Sequence, residues 1–261
     1  MDTLEAILLG IVQGLTEFLP VSSSGHLQIA KEILGVEIEN NITFDVTLHA
    51  ATVLSTIVVM WAEIWKLLKG LFSKTFNDEQ RYVLKILLSM IPAGLVGVLL
   101  GDQIEALFSS LLFVGCMLLF TSALLTFAYY AKPRQKSEIS YRDAFIIGCG
   151  QALATLPGLS RSGTTIATGL LLGNEKGAVA NFSFLMVIPV ILGKMLLDIL
   201  SGDMAAMSVG TLPLVAGFVA AFLSGALACK FMIGIVKRGK LIWFALYCLL
   251  AGLLCVVYNL F

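Results

Sequence analysis

The chain has 261 residues, of which 58% are hydrophobic and 13% are charged, and its mean hydropathy is +0.94. Because a soluble domain carries about 25% charged residues, this composition excludes an ordinary soluble enzyme and indicates an integral membrane protein. The formal net charge is zero, which excludes the basic field that nucleic-acid binding requires.

Two segments of the chain resemble each other. Residues 5–25 read EAILLGIVQGLTEFLPVSSSG, and residues 143–163 read DAFIIGCGQALATLPGLSRSG. At a constant offset of 138 they share seven identities in 21 positions, against roughly two expected by chance, which indicates an internal duplication. The shared pairs are Ala6/Ala144, Gly10/Gly148, Gln13/Gln151, Leu15/Leu153, Ser22/Ser160, Ser24/Ser162 and Gly25/Gly163.

Taken in chain order, the apolar stretches predict an all-α, polytopic membrane protein. Each duplicated segment, about 4–34 and 143–172, has a short apolar stretch, a break at Pro20 or at Pro157-Gly158, and a second short stretch. Because broken backbone in a bilayer must be buried in protein or line a wet cavity, each segment is predicted to be a re-entrant helical hairpin. About six spanning helices are predicted, at 44–65, 84–100, 107–130, 182–200, 209–228 and 241–260.

The distribution of basic residues predicts how the halves are arranged. A hairpin plus three crossings is an odd number of passes, so repeat 1 (about 1–130) and repeat 2 (about 143–261) should be inverted within one membrane domain, 1–261. Loops 66–83, 131–142, 173–181 and 229–240 then share one side, which collects every Lys and Arg except Lys31, Arg161 and Lys194, or 14 of 17. By the positive-inside rule that side is cytoplasmic and both termini face out. The broken tips are expected to meet near the midplane.

Gln13 and Glu17 are four residues apart, on one face of the first hairpin arm and one turn before its break. A carboxylate in the membrane costs about 2.5–3.5 kcal/mol on insertion scales, so it needs a partner or a function. The alternative is a structural role, in which Glu17 accepts hydrogen bonds from unwound backbone.

Ser22, Ser23, Ser24 and His26 open the second arm of this hairpin. Hydroxyls and free backbone N–H groups at a helix start suit an anion, and a histidine can transfer protons near neutral pH. The alternative is simple N-capping, which needs only one serine. The other histidine, His49, is interpreted as a packing residue or as a supporting residue behind the site.

Arg161 lies in the second break, where a permanent cation needs a counter-ion. A guanidinium binds phosphate oxygens bidentately, and hydroxyls surround it. The alternative is a buried Arg161–Glu17 ion pair without a ligand. Together with the first break, this cluster predicts a phosphate or diphosphate pocket. Its other predicted contacts are Ser160, Ser162, Thr164 and Thr165.

The segments QGLTEFLPVSSSGH (13–26) and PGLSRSGTT (157–165) closely resemble the signature regions of the bacitracin-resistance type undecaprenyl-diphosphatase family. The resemblance covers nearly the whole chain, including FSFLMVIP at 182–189. It implies a hydrolase that converts undecaprenyl diphosphate to undecaprenyl phosphate and phosphate. That reaction recycles the lipid carrier for peptidoglycan synthesis and confers bacitracin resistance.

The same resemblance implies roles for individual residues. Ser23 would be the nucleophile and His26 its proton-transfer partner. Arg161 would hold the diphosphate, and Glu17 would act as a base or through a divalent cation, Mg²⁺ or Ca²⁺. The remaining predicted substrate contacts are Gln13, Ser22, Ser24, Ser160, Ser162, Thr164 and Thr165.

The expected location is the bacterial plasma (inner) membrane, with the active site opening to the periplasmic or outer side. The expected partners are a polyprenyl diphosphate lipid and membrane lipids, and the oligomeric state stays open, with a homodimer as one form. A polyprenyl-phosphate flippase or secondary transporter is the alternative, because inverted repeats with broken helices are typical of alternating access.

Overall fold

The computed structural model describes residues 1–36, 42–131, 136–200 and 209–260. Within these ranges the chain forms eleven α-helices and no strand. The prediction of an all-α protein is confirmed. The helices are α1 (Thr3–Phe18), α2 (Ser23–Leu34), α3 (Ile42–Val59), α4 (Trp61–Leu71), α5 (Asp78–Leu107), α6 (Leu111–Tyr130), α7 (Tyr141–Leu153), α8 (Arg161–Leu171), α9 (Lys176–Leu200), α10 (Thr211–Arg238) and α11 (Ile242–Leu260).

Five of these helices are long and apolar enough to cross a membrane: α5, α6, α9, α10 and α11. Helices α3 and α4 make a sixth crossing if the bent pair counts as one span. The protein is therefore a multi-pass membrane protein, and the predicted number of about six spans is confirmed.

The predicted first span, 44–65, is wrong in detail, because the helix breaks inside it. Helix α3 ends at Val59, and α4 begins at Trp61 and is bent by 81° from α3. Met60 between them is buried in the core, whereas α4 buries none of its residues and alternates aromatic with charged side chains. Such an amphipathic helix is typical of a membrane interface, which explains why the chain turns here.

Several spanning helices continue beyond their apolar stretches. Helix α5 begins at Asp78 because Asn77 and Gln80 form a capping box there, six residues before the predicted start at 84. The same helix runs through the predicted connection at 101–106 and ends at Leu107. Hydropathy marks the part of a helix that crosses lipid and does not mark where its hydrogen bonding stops.

Each duplicated segment forms a pair of short helices, α1 with α2 and α7 with α8, and the members of each pair pack together. Residues 19–22 break the first pair and residues 154–160 break the second. Helix α1 also packs along α10, α7 packs along α5, and α6 packs along α11. Each broken pair thus rests on a long helix from the opposite half of the chain.

Candidate active site

Glu17, in the last turn of α1, is the centre of a buried polar cluster and is only 7% exposed. Its Oε1 accepts a hydrogen bond from Nη2 of Arg161 in an ion pair. Its Oε2 accepts from Gln13 Nε2 at 2.9 Å and from the Ser23 hydroxyl at 2.7 Å. Three residues, one each from α1, α2 and α8, therefore bond to one carboxylate.

The two breaks touch each other, and this contact brings the cluster together. The hydroxyl of Ser162 donates to the backbone carbonyl of Leu19 at 3.2 Å, which links the start of α8 to the end of α1. A Cβ added at Gly25 would lie 3.3 Å from Cα of Gly158. Gly158 has φ of +90°, a left-handed conformation that glycine adopts without strain.

One serine caps the helix after each break, as simple N-capping requires. Ser22 accepts from the backbone N–H of Gly25 at 3.3 Å, and Ser160 accepts from that of Gly163 at 3.1 Å. The hydroxyls of Ser24 and Ser162 lie 3.2 and 3.3 Å from their respective capping serines. Ser22 and Ser160 are therefore committed to the backbone, and Ser23 is the serine that faces Glu17.

Two adjacent threonines of α8, Thr164 and Thr165, face different surroundings. The hydroxyl of Thr165 donates to the carbonyl of Arg161 at 2.9 Å and lies 2.6 Å from the hydroxyl of Ser183 in α9. Thr165 thus ties α8 to α9 and is not turned toward Glu17, which differs from the expected phosphate contact. The hydroxyl of Thr164 is buried and has no hydrogen-bond partner among the described residues.

His26 is not hydrogen-bonded to Ser23, in contrast to the expected proton-transfer pair. Its Nδ1 lies 2.8 Å from the Ser22 carbonyl oxygen, and its Nε2 lies 2.6 Å from the Tyr247 hydroxyl. The rings of His26 and Tyr247 stack with centroids 5.4 Å apart. Because a carbonyl only accepts, Nδ1 carries a proton, and in the neutral form of the ring Nε2 accepts from the Tyr247 hydroxyl.

Two further residues lie in this region, and neither was predicted to contact the substrate; His49 was interpreted as a packing or supporting residue. His49 of α3 lies 3.0 Å from Gln13 Nε2 and 3.7 Å from Glu17 Oε2. A sequence signal existed for His49, since it is one of two histidines and lies in an apolar helix. Tyr247 of α11 had none, because 221 residues separate it from His26.

Gln13 Oε1 and Arg161 Nη1 belong to side chains that bond Glu17, and both atoms are buried without a hydrogen-bond partner among the residues described. A buried polar group without a partner costs about 1–3 kcal/mol, so these atoms suit a polar ligand. The guanidinium N–H suits a phosphate oxygen, and the amide oxygen suits a cation or a donor. Over the described ranges, no group of three or more His, Cys, Asp or Glu side chains is placed to hold a metal ion.

The comparisons with known proteins agree along the whole chain. The family model described as bacitracin resistance protein BacA matches residues 6–254. The undecaprenyl-diphosphatase of Bacteroides fragilis is 59% identical over 263 residues, which cover 99% of each chain. That of Bacteroides thetaiotaomicron is 58% identical over 264 residues and 100% of each chain.

A more distant relative extends this agreement. The undecaprenyl-diphosphatase of Methanosphaera stadtmanae is 37% identical over 279 residues, which cover 99% of each chain. Both breaks and all residues of the site lie within the residues 6–254 that the family model matches. The chain therefore belongs to the family of bacitracin resistance protein BacA.

Proposed function

We propose that this protein is an undecaprenyl-diphosphate phosphatase of the cell membrane. It hydrolyses undecaprenyl diphosphate to undecaprenyl phosphate and inorganic phosphate, which recycles the carrier for peptidoglycan synthesis and confers bacitracin resistance. The observation that carries the proposal is the buried contact of Glu17 with both Ser23 and Arg161, in a chain with full-length relatives of that activity.

The serine hydroxyl and the carboxylate perform the first chemical step. Ser23 Oγ attacks the terminal phosphorus, and the bond from that phosphorus to the bridging oxygen breaks, so that undecaprenyl phosphate leaves. The Ser23 proton moves along the existing 2.7 Å hydrogen bond to Glu17 Oε2. A serine needs such an adjacent base to become a good nucleophile.

Water completes the reaction. Its oxygen attacks the phosphoserine phosphorus, the bond to Ser23 Oγ breaks, and inorganic phosphate leaves. Glu17 returns its proton to Ser23 Oγ at this point, so each turnover restores the starting state.

Arg161 and the helix starts bind the diphosphate. Arg161 contacts Glu17 through Nη2 and keeps Nη1 for a phosphate oxygen. Helices α2 and α8 both begin at the site, at Ser23 and Arg161, so their positive N-terminal ends lie beside the developing charge. Phosphoryl transfer depends mainly on such positioning and charge stabilisation.

His26 is assigned a supporting role in this scheme. Its Nδ1–H donates to the carbonyl of Ser22, the residue directly before the nucleophile. Ser22 has φ of +72°, so this hydrogen bond holds a strained backbone that orients Ser23.

A divalent cation, Mg²⁺ or Ca²⁺, is part of the proposal. Glu17 and Oε1 of Gln13 would be its ligands from the protein, since Oε1 is buried and unpartnered. Mg²⁺ commonly combines one or two carboxylates with water and substrate phosphate oxygens, so this small oxygen donor set fits. When bound, the cation supplies positive charge that offsets the charge of the diphosphate.

The proposed location is the bacterial plasma (inner) membrane, with the site opening outward and the two halves inverted relative to each other. The charge partition supports this orientation. The reciprocal packing of α1 on α10 and of α7 on α5 supports two equivalent halves. The polyprenyl tail stays in lipid while the charged headgroup enters between the breaks.

Phosphate release by purified protein in detergent tests the function. Wild-type protein should release phosphate from undecaprenyl diphosphate without a second compartment, which a carrier with no hydrolase activity would not do. Ser23→Ala should abolish release while the thermal unfolding midpoint stays close to wild type. Arg161→Ala should also abolish release, and it should lower the midpoint because buried Glu17 loses its counter-ion. Near-normal turnover in both variants would refute the assigned roles.

A further inference from the structure

The amide of Gln13 lies between Glu17 and His49. Gln13 is completely buried, and its Nε2 is 2.9 Å from Glu17 Oε2 and 3.0 Å from His49 Nδ1. A primary amide nitrogen carries two hydrogens, so each of these contacts can take one. With Glu17 as the first acceptor and His49 as the second, both hydrogens of the Gln13 nitrogen are hydrogen-bonded.

The partners determine which way the amide faces. A carboxylate only accepts, so the nitrogen of Gln13 must face Glu17, because the reverse orientation would place two oxygen acceptors together. The second hydrogen on Gln13 Nε2 then points at His49 Nδ1. His49 Nδ1 must therefore be an unprotonated acceptor. The proton of the neutral His49 ring lies on its Nε2. The Oε1 atom of Gln13 faces elsewhere and stays without a partner.

The second half of the chain provides a comparison. Gln151 occupies the position that duplicates Gln13, and it is also buried, at 2% exposed. Neither Oε1 nor Nε2 of Gln151 has a hydrogen-bond partner among the residues the structure describes. A buried glutamine at this position is therefore not oriented by its position alone. The amide of Gln13 is oriented because Glu17 and His49 accept its two hydrogens.

We propose that His49 is a positioning residue for the hydrolysis. Its neutral ring holds the Gln13 amide in the one orientation in which Nε2 donates to Glu17. The proposal rests on the proposed function, in which Glu17 accepts the Ser23 proton. The direct His49–Glu17 separation of 3.7 Å is longer than a hydrogen bond, so the effect passes through Gln13.

Four variants test this path: His49→Leu, His49→Asn, Gln13→Ala and the double variant His49→Leu/Gln13→Ala. Misplaced catalytic groups cost on the order of a hundredfold in rate, so kcat/KM of the leucine variant should fall about tenfold to a hundredfold. Asparagine carries an acceptor oxygen as close to Cβ as His Nδ1, so His49→Asn should recover most of that loss. The double variant should be no slower than Gln13→Ala, because the two residues act in series.

A control variant separates positioning from folding. Thr47→Val removes a hydroxyl from the same helix, where it donates to the carbonyl of Thr43 at 2.7 Å. Its rate and its thermal unfolding midpoint should equal those of wild type, and His49→Asn should keep that midpoint as well. Gln13→Ala should lower the midpoint because it empties a fully buried position, so all rates are compared well below the lowest midpoint. Full activity of His49→Leu, failure of asparagine to recover the rate, or additive losses in the double variant would each overturn the proposal. No phosphate release by wild-type protein would instead overturn the proposed function itself.

Discussion

Ser22 is the one non-glycine residue with positive φ in the described part of the chain, at +72°. Its side chain caps α2 through Gly25, and its carbonyl accepts from His26. A non-glycine residue in such a conformation is strained by about 1–3 kcal/mol. The strain lies directly before Ser23, where it sets the direction of the nucleophile.

Replacement of Ser22 should separate strain from capping. Ser22→Ala keeps the strained φ and loses the cap, so the free energy of unfolding should fall by about 1 kcal/mol. Ser22→Gly also loses the cap, but glycine relieves the strain, so its stability should equal or exceed that of wild type. Unfolding in mixed detergent micelles measures both, and equal destabilisation of the two variants would contradict this account.

At the scale of elements, the position of Glu17 depends on how closely α1 approaches α10. Gly10 and Gly14 of α1 face Gly217, Ala221 and Gly225 of α10. Small residues spaced by four allow two membrane helices to bring their backbones together. Gly148, the duplicate of Gly10, meets the backbone of Ser89 in α5 in the same way.

A side chain at Gly14 should therefore disturb both stability and activity. A Cβ there would meet the hydroxyl of Ser224 and would lie 2.5 Å from the Ala221 carbonyl oxygen and 2.7 Å from the Gly225 nitrogen. Because backbone atoms cannot yield, Gly14→Val should cost about 3 kcal/mol, the upper end for overpacking, and reduce hydrolysis with it.

Gly94 in α5 is the matched control for this test, because a Cβ added there has nothing within 4 Å. Gly94→Ala should leave activity unchanged and stabilise the helix by about 0.5–1 kcal/mol. Thermal unfolding of wild type and of both variants measures these changes in stability. A Gly14→Val protein as stable and as active as wild type would contradict the close approach of α1 to α10.

At the scale of the whole molecule, the site exists only where the two breaks meet. A Cβ added at Gly163 would lie 3.3 Å from Cβ of Pro20, close to the separation in a disulfide. In a variant without the five native cysteines, Pro20→Cys/Gly163→Cys should therefore cross-link on oxidation.

A protease site inserted between residues 131 and 136 makes this cross-link visible. The cut halves should stay joined on a denaturing gel until a reductant is added. The pair Pro20→Cys/Gly234→Cys serves as the control and should separate at once, because a Cβ added at Gly234, in the second fragment, has nothing within 4 Å. Separation of the Gly163 pair under the same conditions would show that the breaks do not touch.

The proposed orientation has its own test in intact cells. A membrane-impermeant maleimide should label Asp2→Cys without lysis, because the N-terminus is placed outside, and should label Lys237→Cys only after lysis. The reverse pattern would place the site on the cytoplasmic side. Labelling of both positions in intact cells would contradict the membrane crossing between them.

Much of the candidate site could be predicted from polar residues in apolar segments. Glu17, Ser23 and Arg161 stand out because each is costly in lipid without a partner, and the structure places them together. The partners of His26 and Thr165 could not be predicted in this way. Tyr247 and Ser183 belong to helices that are distant in the sequence. The residues around His26 and Thr165 do not indicate that these two side chains pack against them.

The sequence by itself determined the class of the protein, its helices and its two breaks, because lipid requires long apolar stretches and tolerates Pro, Gly and Ser only where protein or water surrounds them. Only the tertiary structure decided which hydroxyl meets Glu17, that His26 pairs with Tyr247, and that α3 turns at Met60. Those outcomes depend on contacts between residues far apart in the chain, and such contacts are set by packing.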